Sequence, residues 1–338
     1  MNCKLQSNYS LSIIKLSIRF APCLPTDRFL TMQIHHDINN LPGFTNAVIT
    51  IGTFDGVHLG HRQIIDHLKE EAAQANGESV IITFHPHPRK VVSSVITGVR
   101  LINTLSERIE LLEKTGIDHL VIVPFTDYFA SQTAEEYIQD FLVEKFKPHT
   151  IIIGYDHRFG KERSGDFKLM EAKSGMYKYK LKEIPEHILN TIKVSSTNIR
   201  NAILQSNIEE ANNLLGYEFF FEGEVFHGDK IGRTIGYPTA NLKSTDEEKI
   251  TLGDGIYAVY ANVEGITYKG MMSIGFRPTV NGKVRVTEVN IFDFDKDIYG
   301  QVVRVIVKKY LRGEVKFDGL EALKTQLHKD KEDSLACL

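Results

Sequence analysis

Cysteine is scarce in this sequence. Three occur in 338 residues, Cys3, Cys23 and Cys337, all near the ends. They form no CxxC pair, which excludes a disulfide scaffold and a four-ligand zinc site built on cysteine. A reducing cytoplasm is the expected location, and metal chemistry has to use oxygen ligands or histidine. A long hydrophobic run is missing too: no stretch approaches the ~18 consecutive apolar residues of a membrane-spanning helix, so no membrane partner is expected. Nor is there a surplus of positive charge. Lys and Arg number 40 against 43 Asp and Glu, a net charge of −3, which argues against a protein devoted to duplex nucleic acid. The chain has no internal repeat, no low-complexity tract and no GxxxxGK(S/T) loop. What remains is an ordinary globular composition, 42% hydrophobic and 25% charged, with length for two domains at roughly 100–200 residues each.

Residues 1–31 differ in texture from the rest. Four basic residues, Lys4, Lys15, Arg19 and Arg28, face one acid, Asp27. The apolar positions Leu11–Phe20 are interrupted by Lys15 and Arg19, unlike the continuous core of a secretory signal. An extension outside the folded protein is expected here, ending before Met32.

From Ala47 the chain alternates between strand and helix. Ala47–Ile51, Ser79–Phe84, His119–Phe125, Thr150–Gly154 and Ile192–Val194 read as strands. Helical patterns fill Arg62–Ala72 and Ser106–Lys114, a third runs from the capping box Thr133-Ala-Glu-Glu136 to Phe146, and a fourth begins near Thr197. This alternation predicts a doubly wound parallel sheet, whose ligands sit at the carboxyl ends of the strands. After Tyr217 strands follow one another closely: Glu218–Phe226, Gly255–Val263, Thr267–Ile274, Val284–Phe294 and Gln301–Tyr310. Val263-Glu-Gly-Ile266 reads as a tight hairpin and Gly319–His328 as a final helix. The expected second unit is a small closed β-barrel with a C-terminal helix, so that 32–216 and 217–338 form the two domains.

The strand ends carry phosphate-binding chemistry. After the first strand comes Thr53-Phe-Asp-Gly56-Val-His58-Leu-Gly60-His61, with two histidines three apart where a helix begins. A helix start with glycines nearby favours an anion, and imidazoles can donate to phosphate oxygens as charge builds. After the second strand, His85-Pro86-His-Pro-Arg89 is a stiff loop whose Arg89 could reach a phosphate. After the fourth, Asp156 is placed for ribose or a metal ion, and Arg158, Lys161 and Arg163 for phosphates. Ser195, Ser196 and Thr197 are complete as helix caps, yet a capped helix start is also an anion site, and Arg200 lies one turn in. In the second half, Gly228, Gly232 and Gly236 recur at four-residue spacing with Lys230 and Arg233 between them, a loop able to approach phosphates closely. Thr239 and Asn241 share a strand face; a hydroxyl and an amide oxygen suit Mg²⁺. Glu288 is an acid inside a strand-like run, which by itself reads equally as a solvent-facing residue.

Taken together, IGTFDGVHLGH (51–61), TFHPHPRKV (83–91), GYDHRFGKERSG (154–165), VSSTNIR (194–200), GRTIGYPTANL (232–242), DGIY (254–257), SIGFRPTV (273–280), EVNIFDFD (288–295) and LRGEVKF (311–317) resemble the bacterial bifunctional riboflavin kinase/FMN adenylyltransferase (FAD synthetase) family, from about Met32 to His328. The resemblance implies AMP transfer from ATP to FMN in the first half. His58 and His61 would be catalytic there, with ATP held by Gly52, Phe54, Asp55, Gly56, Gly60, Asp156, Arg158, Ser195, Ser196, Thr197 and Arg200. It implies riboflavin phosphorylation by ATP in the second half. Glu288 would be the base, Thr239 and Asn241 would bind Mg²⁺, and Gly228, Lys230, Gly232, Arg233 and Gly236 would contact the nucleotide. Flavin contacts are implied for His85, Pro86, Arg89, Arg277 and Arg312. The implied partners are riboflavin, FMN and ATP, with any homo-oligomer weak. Lys193 stands where the family commonly has Arg, which weakens a bidentate phosphate clamp at that position. The alternative is a nucleotidyltransferase with another acceptor, joined to a non-catalytic barrel that binds flavin or RNA.

Overall fold

The structure is a computed structural model that describes residues 31–92, 100–154, 156–184, 194–228, 231–279 and 282–338. The chain divides into Met1–Leu30 and Thr31–Leu338. The extension read at 1–31 therefore falls, apart from Thr31, outside the described residues, as do Lys193 and Lys230 and the side chain of Arg277.

The first half is built on six strands, β1 (Gln33–His35), β2 (Val48–Ile51), β3 (Ser79–His85), β4 (His119–Pro124), β5 (Thr150–Gly154) and β6 (Lys180–Ile184). They pair in the order β1-β4-β3-β2-β5-β6, every pair parallel. Successive residues of the central strands β2 to β5 enter two different cores. Ile49, Val80, Ile82, Val121, Ile151 and Ile153 pack with Phe129, Tyr137 and Phe141. Val48, Ile81, Leu120, Ile122 and Ile152 pack with Ile65 and Leu68 of α1 (Leu59–Gln74) and Leu111 and Leu112 of α2 (Leu105–Glu113). Both faces are covered, which is why the central strands are uninterrupted apolar runs. The capping box forms as expected: Glu136 N donates to Thr133 Oγ1 at 3.2 Å and Thr133 N to Glu136 Oε2 at 2.7 Å. The helical run it opens is wound as π-helix over Tyr137–Val143.

Three strands, β1 and β6 of the sheet and Ala240–Ser244 of the second half, were not among those expected from the sequence. Of Ile192–Val194 only Val194 is described, and it is not in a strand. The place beside β5 is taken by Lys180–Ile184. This is an edge strand with an exposed, charged pattern, the usual way of blunting an edge, and for that reason it does not read as apolar.

Helices α3 (Ser196–Leu204) and α4 (Ile208–Leu215) lead into a closed barrel of β7 (Phe220–Phe226), β8 (Ala240–Ser244), β9 (Gly255–Val263), β10 (Ile266–Thr279), β11 (Gly282–Ile291) and β12 (Val302–Arg312), in the order β10-β11-β8-β7-β12-β9. The hairpin at Val263–Ile266 closes as expected, with Gly265 at φ +83°. The last helix, α5 (Leu320–Cys337), is nine residues longer at its C-terminal end than the sequence pattern indicated. A single core joins α3 and α4 to the barrel: Ile199, Ile203, Ile208 and Leu215 pack with Phe219, Tyr257, Val259 and Val305.

Candidate active sites

Chain order reverses at β2, which has β3 on one side and β5 on the other. In an open parallel sheet the crevice at such a switch point is where ligands bind. The loop after β2 is Gly52–His58, and β5 ends at Gly154. The first loop is tightly wound: Phe54, Gly56 and Val57 all have positive φ, at +49°, +93° and +37°. Such conformations persist only where the surroundings enforce them.

Those surroundings are polar and specific. Asp55 is 1% exposed. Its carboxylate accepts from Ile102 N at 2.9 Å, Asn103 N at 3.1 Å and Arg200 Nη2 at 2.6 Å. Asp55 and Arg200, both implicated in ATP binding from the sequence, are thus committed to each other and to the loop before α2. Ser196 Oγ donates to Asp55 O at 2.9 Å, while Ser195 caps α3 by accepting from Asn198 N at 3.2 Å. Thr197 and Asp156 are exposed. Arg158 is exposed beside Asp166, 3.5 Å away.

His58 is the N-cap of α1, and its Nδ1 accepts from His61 N at 3.3 Å. The proton of the neutral ring therefore sits on Nε2. The two imidazoles stack, with centroids 3.7 Å apart, and Phe54 flanks His61 at 5.0 Å. A Cβ at Gly60 would sit 3.3 Å from the His58 ring, tight enough that the ring would have to give slightly. Phe54 is buried and serves as a floor for the imidazoles. Burial pushes His58 down to about 4 and His61 well below its ordinary value, the latter helped by the nearby charge of Arg108. Both rings are neutral near pH 7. Among the described residues His61 Nδ1 is enclosed without a hydrogen-bond partner.

Two residues here were not singled out in the sequence. His87 is 7% exposed, whereas His85, Pro86 and Arg89 are exposed. Burial pushes His87 to about 4, and it lies in the field of Asp55 and Arg200. Arg108, on α2, is buried and donates to the carbonyls of Thr53 at 2.5 Å and Phe84 at 3.3 Å, clamping the ends of β2 and β3. Neither has a local signature: the H-P-H-P pattern does not say which histidine turns inward, and a lone helical Arg reads as surface.

The barrel holds two cavities that meet at Thr239. One, about 490 Å³, is lined by Ile256, Met271, Met272, Ser273, Glu288, Asn290, Arg312 and Phe317, and closed by Leu323, Leu327 and Asp330 of α5. The other, about 300 Å³, is lined by Arg233, Pro238, Phe294, Lys296, Asp297 and Tyr299. Thr239 lines both, and its Oγ1 donates to Glu288 Oε1 at 3.1 Å. Glu288 stands directly opposite Asn241 in the β11–β8 ladder. Gly228 lies so near Asn241 that a Cβ there would fall 2.3 Å from its Nδ2. Gly232 likewise faces Tyr237 O, and Gly236 has φ +84°. Arg312 lines the first cavity with three of its five N–H donors engaged: Nε and Nη2 hold Asp330 at 2.8 and 2.5 Å, and Nη1 donates to Gly313 O. A third cavity, about 650 Å³, lies at the α4–β12 junction, lined by Glu209, Asn212, Lys308 and Cys337; its lysines pair with neighbouring glutamates.

Among the described residues no cluster of three His, Cys, Asp or Glu side chains could hold a metal. The hydroxyl of Thr239 and the amide oxygen of Asn241, the latter opposite Glu288 in the ladder, are of the kind that suits a hard cation taking its remaining ligands from phosphates and water. No helix of the described residues is long and apolar enough to cross a membrane.

Comparison with known proteins follows this division. The FAD synthetase family matches residues 42–198 and the riboflavin kinase family residues 215–338. A bifunctional riboflavin kinase/FMN adenylyltransferase of Listeria monocytogenes is 37% identical over 308 residues, 90% of this chain and 97% of its own. That of Escherichia coli K12 is 36% identical over 299 residues, 88% of this chain and 94% of its own. A crystal structure from Streptococcus pneumoniae, described as a macrolide-efflux protein, superposes with a TM-score of 0.78 at 31% identity, over 90% of this chain and 98% of that one. With both halves matched in order, and with relatives matched over nearly their whole length, the chain belongs to the bifunctional riboflavin kinase/FMN adenylyltransferase family.

Proposed function

We propose that the two sites work in series, the barrel phosphorylating riboflavin to FMN and the sheet crevice transferring AMP from ATP to FMN, giving FAD and pyrophosphate. The observation that carries the kinase half is Thr239 at the meeting of two cavities. The larger cavity, with Met271, Met272 and Phe317, takes the flavin, and the smaller, with Arg233 and Lys296, takes the nucleotide. Phosphoryl transfer then occurs beside Glu288, which accepts the proton of the attacking ribityl hydroxyl. Thr239 and Asn241 would hold Mg²⁺, which when bound neutralises charge on the ATP phosphates. Thr239 also orients the carboxylate of Glu288.

In the crevice the nucleophile is a phosphate oxygen of FMN, already anionic, so no base is required. The work left is positioning and charge stabilisation. His58 Nε2–H and the ring of His61 donate to ATP phosphate oxygens in a water-poor site, where such bonds count for more than in solvent. Arg108, His87 and the Asp55–Arg200 pair hold the surrounding loops. The two modules divide near Gly216, and a cytoplasmic enzyme fits the scarcity of cysteine.

The test uses purified chain with riboflavin, ATP and MgCl₂. FMN is expected first and FAD after it, both stopped by EDTA. FAD from added FMN without any phosphorylation of riboflavin would remove the kinase assignment.

A further inference from the structure

The loop that carries His58 and leads into the helix turn of His61 is not supported by the sheet alone. The junction between the halves lies against it. Gly216, with φ +73°, ends α4, and a Cβ there would fall 2.4 Å from Leu59 Cδ2, in the first turn of α1. Arg62, one turn further on, sits 5.6 Å from the centre of the Tyr217 ring. Tyr217 packs against the barrel core on one side and the sheet core on the other. Its hydroxyl donates to Gly56 O at 2.7 Å, within the Gly52–His58 loop.

The same hydroxyl lies 3.2 Å from Asn103 Oδ1. Its one proton goes to the shorter contact. Asn103 N meanwhile donates to Asp55. The barrel grips this stretch a second time. Leu101 N donates to Glu248 O at 2.7 Å, Ile250 N to Leu101 O at 2.8 Å, and Lys249 Nζ to Ile102 O at 2.7 Å. Three consecutive residues, 101–103, thus link the barrel to the carboxylate of Asp55, while Tyr217 holds the next carbonyl of the loop.

We propose that Tyr217 is a positioning residue for AMP transfer, its hydroxyl fixing the Gly56 carbonyl so that the positive-φ turn presents His58 and His61 to the ATP phosphates. The proposal rests on the reading of this loop as the adenylyl-transfer site. It makes the second residue after α4 part of the machinery of the sheet module. A loop with three positive-φ residues in a row of four has lower-energy alternatives, and a displacement of about 1 Å at a reacting group can cost on the order of 10²-fold in rate. The other anchors, Asp55 and Arg108, keep the loss from one missing bond below that.

The test is Tyr217→Phe in the full chain, which keeps the ring between the two cores. The expected result is a fall of about tenfold in kcat for FAD formation from FMN, with KM for ATP within twofold of wild type and riboflavin phosphorylation unchanged. A fall of less than threefold overturns the positioning role. So does a parallel loss of both activities with a lowered melting temperature, which marks Tyr217 as structural only. His61→Ala is measured alongside. If it makes FAD at the wild-type rate, the reading of the loop fails and the proposal with it. If it is inactive while Tyr217→Phe stays near wild type, the reading stands and only the role of Tyr217 is lost.

Discussion

At the scale of single residues, Glu288 is where one atom separates the two reactions. Its Oε1 accepts from Thr239, and it borders the larger barrel cavity. Glu288→Gln keeps size and a polar group, so the barrel should fold normally. Phosphorylation of an alcohol loses its proton acceptor, and a fall of about 10²–10⁴ in kcat is expected. FMN supplied directly should still become FAD at the wild-type rate, because that nucleophile is anionic and the site lies in the other half. Assaying both half-reactions on one preparation checks this; phosphorylation within about threefold of wild type would return Glu288 to an ordinary strand acid. His58 and His61 stand out in the sequence because they sit in a dense run of glycines and polar residues that packing alone does not need. Glu288, inside the alternating run 285–291, was legible as a base only through the family resemblance. His87 and Arg108 were not, since burial and carbonyl partners come from segments distant in sequence: Arg108 is 55 residues from one partner carbonyl and 24 from the other.

At the scale of elements, what could be read followed hydrophobic pattern. Strands β2 to β5 were visible because both of their faces are buried. β6 was not, since its residues Lys180, Lys182 and Glu183 look like surface. Helix α3 was visible from its start near Thr197, α4 was not read, and what the two pack on was not visible either. They were assigned with the sheet, while their apolar faces enter the barrel core through Ile199, Ile203, Ile208, Ala211 and Leu215. Asn212 adds two bonds, Nδ2 to Val307 O at 3.0 Å and Oδ1 accepting from Phe219 N at 2.7 Å. A barrel fragment cut at Tyr217 exposes the patch that α3 and α4 cover. A fragment beginning at Ser195 keeps it covered. Both should phosphorylate riboflavin, and the longer should be more stable by several kcal/mol, since burying each Leu or Ile side chain contributes about 1.5–3 kcal/mol. Urea unfolding of the two fragments measures this; equal midpoints would mean the helices belong energetically to the sheet.

At the scale of the molecule, the two halves are joined by more than a linker. Lys249 and Glu107 form an ion pair across the junction with both side chains nearly free of solvent, 3% and 2% exposed. Lys249 lies against the rings of Phe219 and Phe220. Burial pushes the carboxyl of Glu107 up and the amine of Lys249 down, and each is held back by the other's charge. Nearby, Arg304 of β12 clasps Glu110 of α2 with two bonds, at 2.9 and 2.7 Å, and also reaches Glu222. Those bonds push Glu110 down to about 2. A depressed carboxyl contributes stability that is present above its unfolded value of 4.5 and is lost as pH falls toward 2. Residues 31–338 should therefore unfold at neutral pH in one calorimetric transition, against the usual expectation for a two-module chain. Removing one partner of a buried pair leaves a charge without compensation, which costs about 3–5 kcal/mol. Lys249→Ala should lower the midpoint by that cost, and Lys249→Met with Glu107→Gln should recover part of it by removing both charges. At pH 3, where the unfolded chain protonates Glu110, the transition should broaden or split as the clasp loosens. Two separate peaks at pH 7 in the wild-type protein, with Lys249→Ala shifting neither, would show that the halves fold independently and that the buried pair joins surfaces without coupling them.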